Sequence, residues 1–156
     1  ELLALNPKDV DLKKRTIFIT KSYQRLGKKD VITPPKTPKS KRVITIPEFL
    51  AADIKDYMDS LYDLQENDRL FPITKYYLEH EMQRGIKESG VKRIRVHDLR
   101  HSHASMLIEL GFSPLEIANR LGHEKVETTL NTYVHLYPNK QTKLAERLDS
   151  EYREDL

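Results

Sequence analysis

His97, Arg100, His123 and Tyr133 lie within one stretch, 96–138, that also holds five of the chain's six histidines. Those side-chain types suit phosphoryl transfer. A phosphodiester under attack gathers negative charge on its non-bridging oxygens. A guanidinium, planar and always protonated, is the side chain best fitted to stabilise it. Histidine moves a proton, or donates to the same oxygens, near neutral pH. Tyrosine can bond covalently to phosphorus, but its protonated phenol is a weak nucleophile and needs neighbours that take or offset its proton.

Spacing indicates the elements that must carry these groups. His97 and Arg100 stand three apart, which on a helix puts them on one face about a turn apart. Leu99, Ala104, Met106, Leu107 and Leu110 supply that helix's apolar side, and Gly111 stops it. Ser113 and Pro114 open a second helix, as cap and as first-turn residue. Leu115, Ile117, Ala118 and Leu121 give it a buried face, and Gly122 ends it directly before His123. A third helix is expected over 126–137, with Tyr133 in its body. The histidine-arginine pair, the loop histidine and the tyrosine thus arrive on three successive short elements, close enough in sequence to converge.

HDLRHSHAS, NRLGH and TTLNTYVHLYP, in that order and at these distances, resemble the C-terminal motif set of the tyrosine recombinases, in particular phage and transposon integrases. The resemblance covers essentially the whole chain, 1–156, as part of a catalytic domain. It implies an α+β, mainly helical fold with a small three-stranded antiparallel sheet. The implied activity is site-specific DNA recombination, by strand cleavage and rejoining through a 3′-phosphotyrosine. By resemblance, His97 and Arg100 are the His-x-x-Arg pair, His123 is the third-motif histidine and Tyr133 is the nucleophile. Tyr137, just before Pro138, is the competing phenol. The family places a catalytic lysine, the general acid to the leaving 5′ oxygen, in a Lys-Thr context at the start of a β-hairpin turn. Lys36-Thr37 matches that context, with Lys39 and Lys41 as rivals.

The family's first arginine stands three residues before an acidic position that Glu1 matches. That arginine is therefore expected upstream of residue 1, as are the arm- and core-binding regions, and this stretch alone is expected to be inactive or nearly so. The partners implied are double-stranded DNA attachment sites, other protomers in a tetramer that exchange C-terminal segments, and an accessory excisionase or host DNA-bending protein. No metal or other cofactor is implied. The expected setting is the cytoplasm and nucleoid of a bacterial host.

Blander readings stand beside these. His101, His103 and His135 read as structural, as single histidines on amphipathic helices usually do. A metal-dependent hydrolase is one rival: His97 and His101 have the i, i+4 spacing of a zinc helix, with Asp98 at the position of the base. Against it, aspartate reaches less far than glutamate, no third ligand is indicated, and Arg100 would crowd the cation. A non-catalytic DNA-binding module built on these helices is the other rival.

The rest of the chain reads as scaffold and basic surface. Its 156 residues, 33% charged and 38% hydrophobic, suit one domain with a real core. There is no apolar run of membrane-spanning length and no signal-like start. With no cysteine, disulfides and thiolate metal sites are excluded. Net charge is a mild +3, so its distribution matters more than its sum. Residues 28–42 carry six basic side chains against one acidic, a tip suited to phosphates through Lys39, Lys41 and Arg42. Strands are expected at 16–20, 31–33 and 43–46 from β-branched and aromatic content. Residues 1–5 read as a helix end broken by Asn6-Pro7. An amphipathic helix over 47–64 buries Phe49, Leu50, Ile54, Tyr57, Met58 and Leu61, and turns its acidic face away from DNA. A helix over 74–89 ends at Gly90. Lys92, Arg93 and Arg95 then form a second basic lead-in that would hold DNA backbone without reading sequence. A charged terminal helix over 140–156 carries a narrow stripe of Leu144, Ala145 and Leu148.

Overall fold

The computed structural model describes residues 1–35, 37–137 and 141–154. Among the described residues, five short strands precede six α-helices. The strands are β1 (Val10–Asp11), β2 (Thr16–Ile19), β3 (Ser22–Leu26), β4 (Lys29–Thr33) and β5 (Arg42–Thr45). The helices are α1 (Glu48–Ser60), α2 (Lys75–Ser89), α3 (Asp98–Glu109), α4 (Pro114–Leu121), α5 (Val126–Tyr133) and α6 (Gln141–Glu154). No helix among the described residues is long and apolar enough to cross a membrane.

The three-stranded antiparallel sheet exists, but its membership differs from the expected one. β2 lies in the middle, pairing Ile17 with Val10 of β1 and with Ile44 of β5. The expected strand at 31–33 is β4, which belongs instead to a separate antiparallel hairpin with β3. Gly27 and Lys28 both take positive φ, 53° and 70°, which makes the two-residue turn whose twist suits a hairpin. Ser22–Leu26 has little apolar alternation, so propensity does not announce β3; Gly27 at the turn is its readable sign. β4 and β5 consequently lie in different sheets and are not paired as a hairpin, and a 3-10 turn at Pro38–Ser40 precedes β5. Lys36 lies outside the described residues.

Two apolar clusters form the core. Leu5, Ile19 and Leu70 join Ile17, Ile44, Met58 and Phe71 around the sheet and α1. Ala104, Ile108, Ile117, Leu121 and Tyr133 join Leu107 and Tyr137 where α3, α4 and α5 meet. Fewer residues are buried than the periodicity suggests. Phe49, in the first turn of α1, is 70% exposed, and Leu99, Met106, Leu110 and Leu115 also face outward. On α3 the buried positions are Ala104 and Ile108, one turn apart. Residues 1–5 form a 3-10 turn at Leu2–Ala4. On α6, Ala145 is exposed, as are Leu148 and Tyr152, and the side chain of Leu144 lies outside those described.

Local chemistry sets the helix ends near the motifs. Ser113 and Glu116 form a reciprocal capping box at the start of α4, with Pro114 in its first turn. Gly122 closes α4 in the left-handed region at φ 71°. The expected helix over 126–137 is shorter than its periodicity: α5 stops at Tyr133 and tightens into a 3-10 turn at Val134–Leu136. Tyr133 is therefore the last residue of α5 and not a mid-helix position. Pro138 lies outside the described residues.

Candidate active site

α3 begins where a carboxylate folds the chain back. Asp98 accepts from the Arg95 backbone N–H at 2.8 Å and from the Arg95 guanidinium at 2.8 Å. Those hydrogen bonds, backed by Arg95's charge, outweigh desolvation and hold the Asp98 carboxyl down at about 2. They also occupy the group that a zinc-type site would need as its base. A carboxyl lowered on folding contributes stability above its unfolded value, about 3.9, and loses it as pH falls toward 2. Asp98→Asn should therefore melt below wild type at pH 7, with the gap closing as the medium is acidified from about pH 4 toward 2. A gap that persists unchanged at pH 2 would contradict the pairing.

His97 directly precedes α3 without a side-chain capping bond and is exposed; its ring meets that of His101 edge to face, centroids 5.4 Å apart. One position before His101, Arg100 turns toward the end of α4, where its Nη2 donates to the Leu121 carbonyl at 2.5 Å. Burial works against the charge on Arg100, while the carboxylate of Glu1 favours it. His123, one residue past Gly122, bonds through Nδ1 to the hydroxyl of the fully buried Thr129 at 2.8 Å. Burial, then the charges of Arg100 and Arg42, push His123 below the ordinary imidazole value, so it is neutral at pH 7.

Tyr133 reaches this cluster from α5. It is only 4% exposed, and its hydroxyl lies 2.7 Å from His101 Nδ1. Burial raises its phenol above the usual range and Arg100 opposes that rise, so the resting hydroxyl is protonated. Tyr137, the competing phenol, packs against the same cluster, but its buried hydroxyl finds no hydrogen-bond partner among the described residues. The sequence-derived set thus divides. Arg100, His123 and Tyr133 are brought to one cluster, His97 flanks it through the ring of His101, and Lys36 is outside the described residues. His101, read as structural, is the group that touches the Tyr133 hydroxyl. Only the fold, which brings the end of α5 beside α3, reveals it, because an i+4 histidine carries no distinguishing sign in sequence. His103 keeps a structural reading, accepting from Arg120 Nε at 3.0 Å.

The basic residues sort by what they already hold. Arg42 is 11% exposed and directed inward: it donates to both carboxylate oxygens of Glu1 at 3.0 and 2.8 Å, to the Arg120 carbonyl at 2.9 Å and to Ser40 O at 3.0 Å. It joins β5 to the end of α4 and so differs from the surface phosphate contact expected of it. Burial raises the carboxyl of Glu1, but Arg42's hydrogen bonds and charge bring it net below its ordinary value. Lys39 donates to Glu124 O at 2.8 Å, above His123, while Lys41, Lys92 and Arg93 are exposed and Arg95 is paired to Asp98. Lys39, Lys41 and Arg42 line a cavity of about 490 Å³ with Gly122 and His123.

Gly122 matters twice here. Its φ of 71° disfavours a side chain, and a Cβ there would come within 2.8 Å of Nη1 of Arg42, whose guanidinium is pinned by four hydrogen bonds. Gly122→Ala should cost about 1–2 kcal/mol from backbone strain alone and displace Arg42 from Glu1. Thermal unfolding would read this, and an unchanged Tm would contradict it.

Comparison with known proteins agrees with this geometry. The family profile described as the phage integrase family matches residues 1–140. The ICEBs1 integrase of Bacillus subtilis (strain 168) is 35% identical, over 96% of this chain and 44% of its own. The integrase of Staphylococcus phage L54a is 31% identical, over 96% of this chain and 47% of its own. The chain spans about half the length of these relatives. Among solved structures, the Tn1549 transposon integrase in complex with a circular intermediate DNA superposes with a TM-score of 0.77 at 22% identity, over 97% of this chain and 53% of that one. The catalytic domain of bacteriophage HP1 integrase gives 0.58 at 22% identity, over 93% and 70%. The shared fold is α+β and mainly helical, with the small antiparallel sheet, and the chain belongs to the phage integrase family of tyrosine recombinases.

Proposed function

We propose that residues 1–156 are the catalytic domain of a site-specific DNA recombinase that integrates or excises a mobile element. The observation that carries this reading is the Tyr133 hydroxyl, buried at the end of α5 and held 2.7 Å from an imidazole, in the field of Arg100. Tyr133 attacks the scissile phosphate, forming a 3′-phosphotyrosine and releasing a 5′-hydroxyl. Arg100 neutralises charge on the non-bridging oxygens. Lys36 protonates the leaving oxygen. His97 and the neutral His123 donate to the phosphate and assist proton movement. The reverse step joins the strand to a partner duplex. Because the protein–DNA bond keeps the phosphodiester's energy, neither ATP nor a metal is required.

Double-stranded attachment DNA is the substrate, held by Lys39, Lys41, Lys92 and Arg93, with Arg95 reaching phosphate by leaving Asp98. Strand exchange needs further protomers, in a tetramer on DNA that swaps C-terminal segments. An excisionase or a host bending protein supplies direction, and the work takes place on DNA in the bacterial cytoplasm and nucleoid. The relatives' names, as integrases, and the DNA in the Tn1549 complex support this assignment. A purely DNA-binding module has no use for a buried phenol held against an imidazole.

The test uses the intact protein and a nicked duplex carrying the end of the encoding element, in the presence of chelator and without ATP. Cleavage beside the nick releases a short strand and traps the intermediate. A detergent-stable protein–DNA band is expected. Binding without such a band would favour the module.

A further inference from the structure

We propose that His101 is the general base for Tyr133, taking the phenol proton as the hydroxyl attacks phosphorus. The inference rests on the recombinase reading above and assigns a role to a residue that the motif pattern leaves silent.

Three observations carry it. His101 Nδ1 and Tyr133 Oη are 2.7 Å apart, within the reach required of a base and its proton. The phenol sits in the core cluster of α3, α4 and α5 and is 4% exposed, so water is a poor competitor for that proton. His123 cannot serve through Nδ1 without breaking its own bond, because that nitrogen is held by Thr129. His101 is half-buried and sits inside α3, where its Ser105 neighbour one turn on donates to the His101 carbonyl at 3.1 Å.

Charged and titratable groups face His101 from each element packed around it. His97 and Asp98 stand at the head of its own helix, with Arg100 beside it. His123 faces it from the loop after α4, and Tyr133 from α5. The 3-10 turn after α5, which packs on α3, carries His135 and leads to Tyr137. The Asp98 carboxylate is already committed to Arg95, which leaves the His101 ring to the phenol.

In the step itself, neutral His101 carries its hydrogen on Nε2 and accepts the Tyr133 proton on Nδ1. The Oη–P bond forms as the P–O5′ bond breaks, and the leaving oxygen takes its proton from Lys36. In the rejoining step the released 5′-hydroxyl attacks, Lys36 recovers its proton, and the His101 imidazolium returns one to the departing phenolate. Charge and protons balance over the cycle. Once the phenol is esterified, the hydrogen bond is gone and the cation remains beside the phosphotyrosine, where it favours the negative phosphate.

The experiment follows adduct formation on the nicked duplex in the intact protein, single turnover, from about pH 5.5 to 9 across the imidazole range. His101→Asn keeps a polar group near Nδ1 but cannot titrate. It should fold and bind DNA as wild type does, slow the adduct step on the order of 10²- to 10⁴-fold, and lose the imidazole limb of the pH profile. Added imidazole should rescue His101→Ala, which a structural role would not allow. A rate within about threefold of wild type, well short of that loss, or no rescue, overturns the proposal. A measurement independent of any variant is the nitrogen NMR of His101 in the DNA-free protein. Unprotonated Nδ1 supports the base, and a proton resident on Nδ1 overturns it. Tyr133→Phe separates the two readings. If it still forms adduct, the recombinase assignment of Tyr133 fails. If it is inert while His101→Asn is fast, only the role of His101 fails.

Discussion

Tyr133→Phe is expected to abolish covalent capture of DNA while leaving duplex affinity within a few-fold of wild type. The substitution removes one oxygen and keeps the ring that packs among Ala104, Ile108, Ile117 and Leu121. Its structural cost is a single hydrogen bond, to His101 Nδ1 at 2.7 Å, with a net value of about 0.5–1.5 kcal/mol. On the proposed reading, binding rests on lysines and arginines elsewhere on the surface, so affinity and its salt dependence should persist. Tyr137 cannot substitute, because its hydroxyl has no partner among the described residues to take its proton and burial raises its pKa. Gel-shift and adduct assays run on the same preparation check both halves. Adduct formed at the wild-type rate would remove Tyr133 from the chemistry.

Arg100→Ala should slow adduct formation by about 10²–10³-fold, the usual cost of losing one pre-organised donor to a developing oxyanion. The guanidinium is pre-organised in that sense. It is half-buried and anchored to Leu121 O, and the charge of Glu1 partly offsets what burial costs it. The same anchor ties α3 to the end of α4, so the variant should also unfold more easily, by about 1 kcal/mol for the lost hydrogen bond. Arg100→Lys discriminates the two effects. It restores charge without the planar fork, so it should recover part of the rate and little of the anchor. Single-turnover rates and thermal unfolding measured side by side would check this. A wild-type rate in Arg100→Ala would contradict the assignment.

The short helices that carry the motif residues were legible from apolar spacing and, for α4, from its caps. Ser113, Pro114, Glu116 and Gly122 mark the ends of α4 in sequence, and the structure uses each of them so. Periodicity overstated burial: Leu99, Met106 and Leu115 match the helical pattern, yet two small clusters cannot cover them. The sheet was half legible. β2 and β5 follow from β-branched content, whereas β1 has two residues and β3 is largely polar, so pairing alone creates them. The inward course of Arg42 is hidden for the opposite reason. Its basic neighbours suggest solvent, but β5 aims its side chain inward at Glu1 and Arg120. His101 and Tyr133 stand 32 residues apart in sequence, so their contact exists only once the fold brings the end of α5 to α3.

All of this depends on one phenol becoming an ester of DNA, and a trapped adduct answers that question at residue level. Adduct formed on nicked DNA would be digested with nuclease and protease, and the nucleotide-bearing peptide sequenced by mass spectrometry. The account predicts a phosphodeoxynucleotide on the side chain of Tyr133. The same mass on Tyr137, on a serine, or on no peptide of this chain would contradict it.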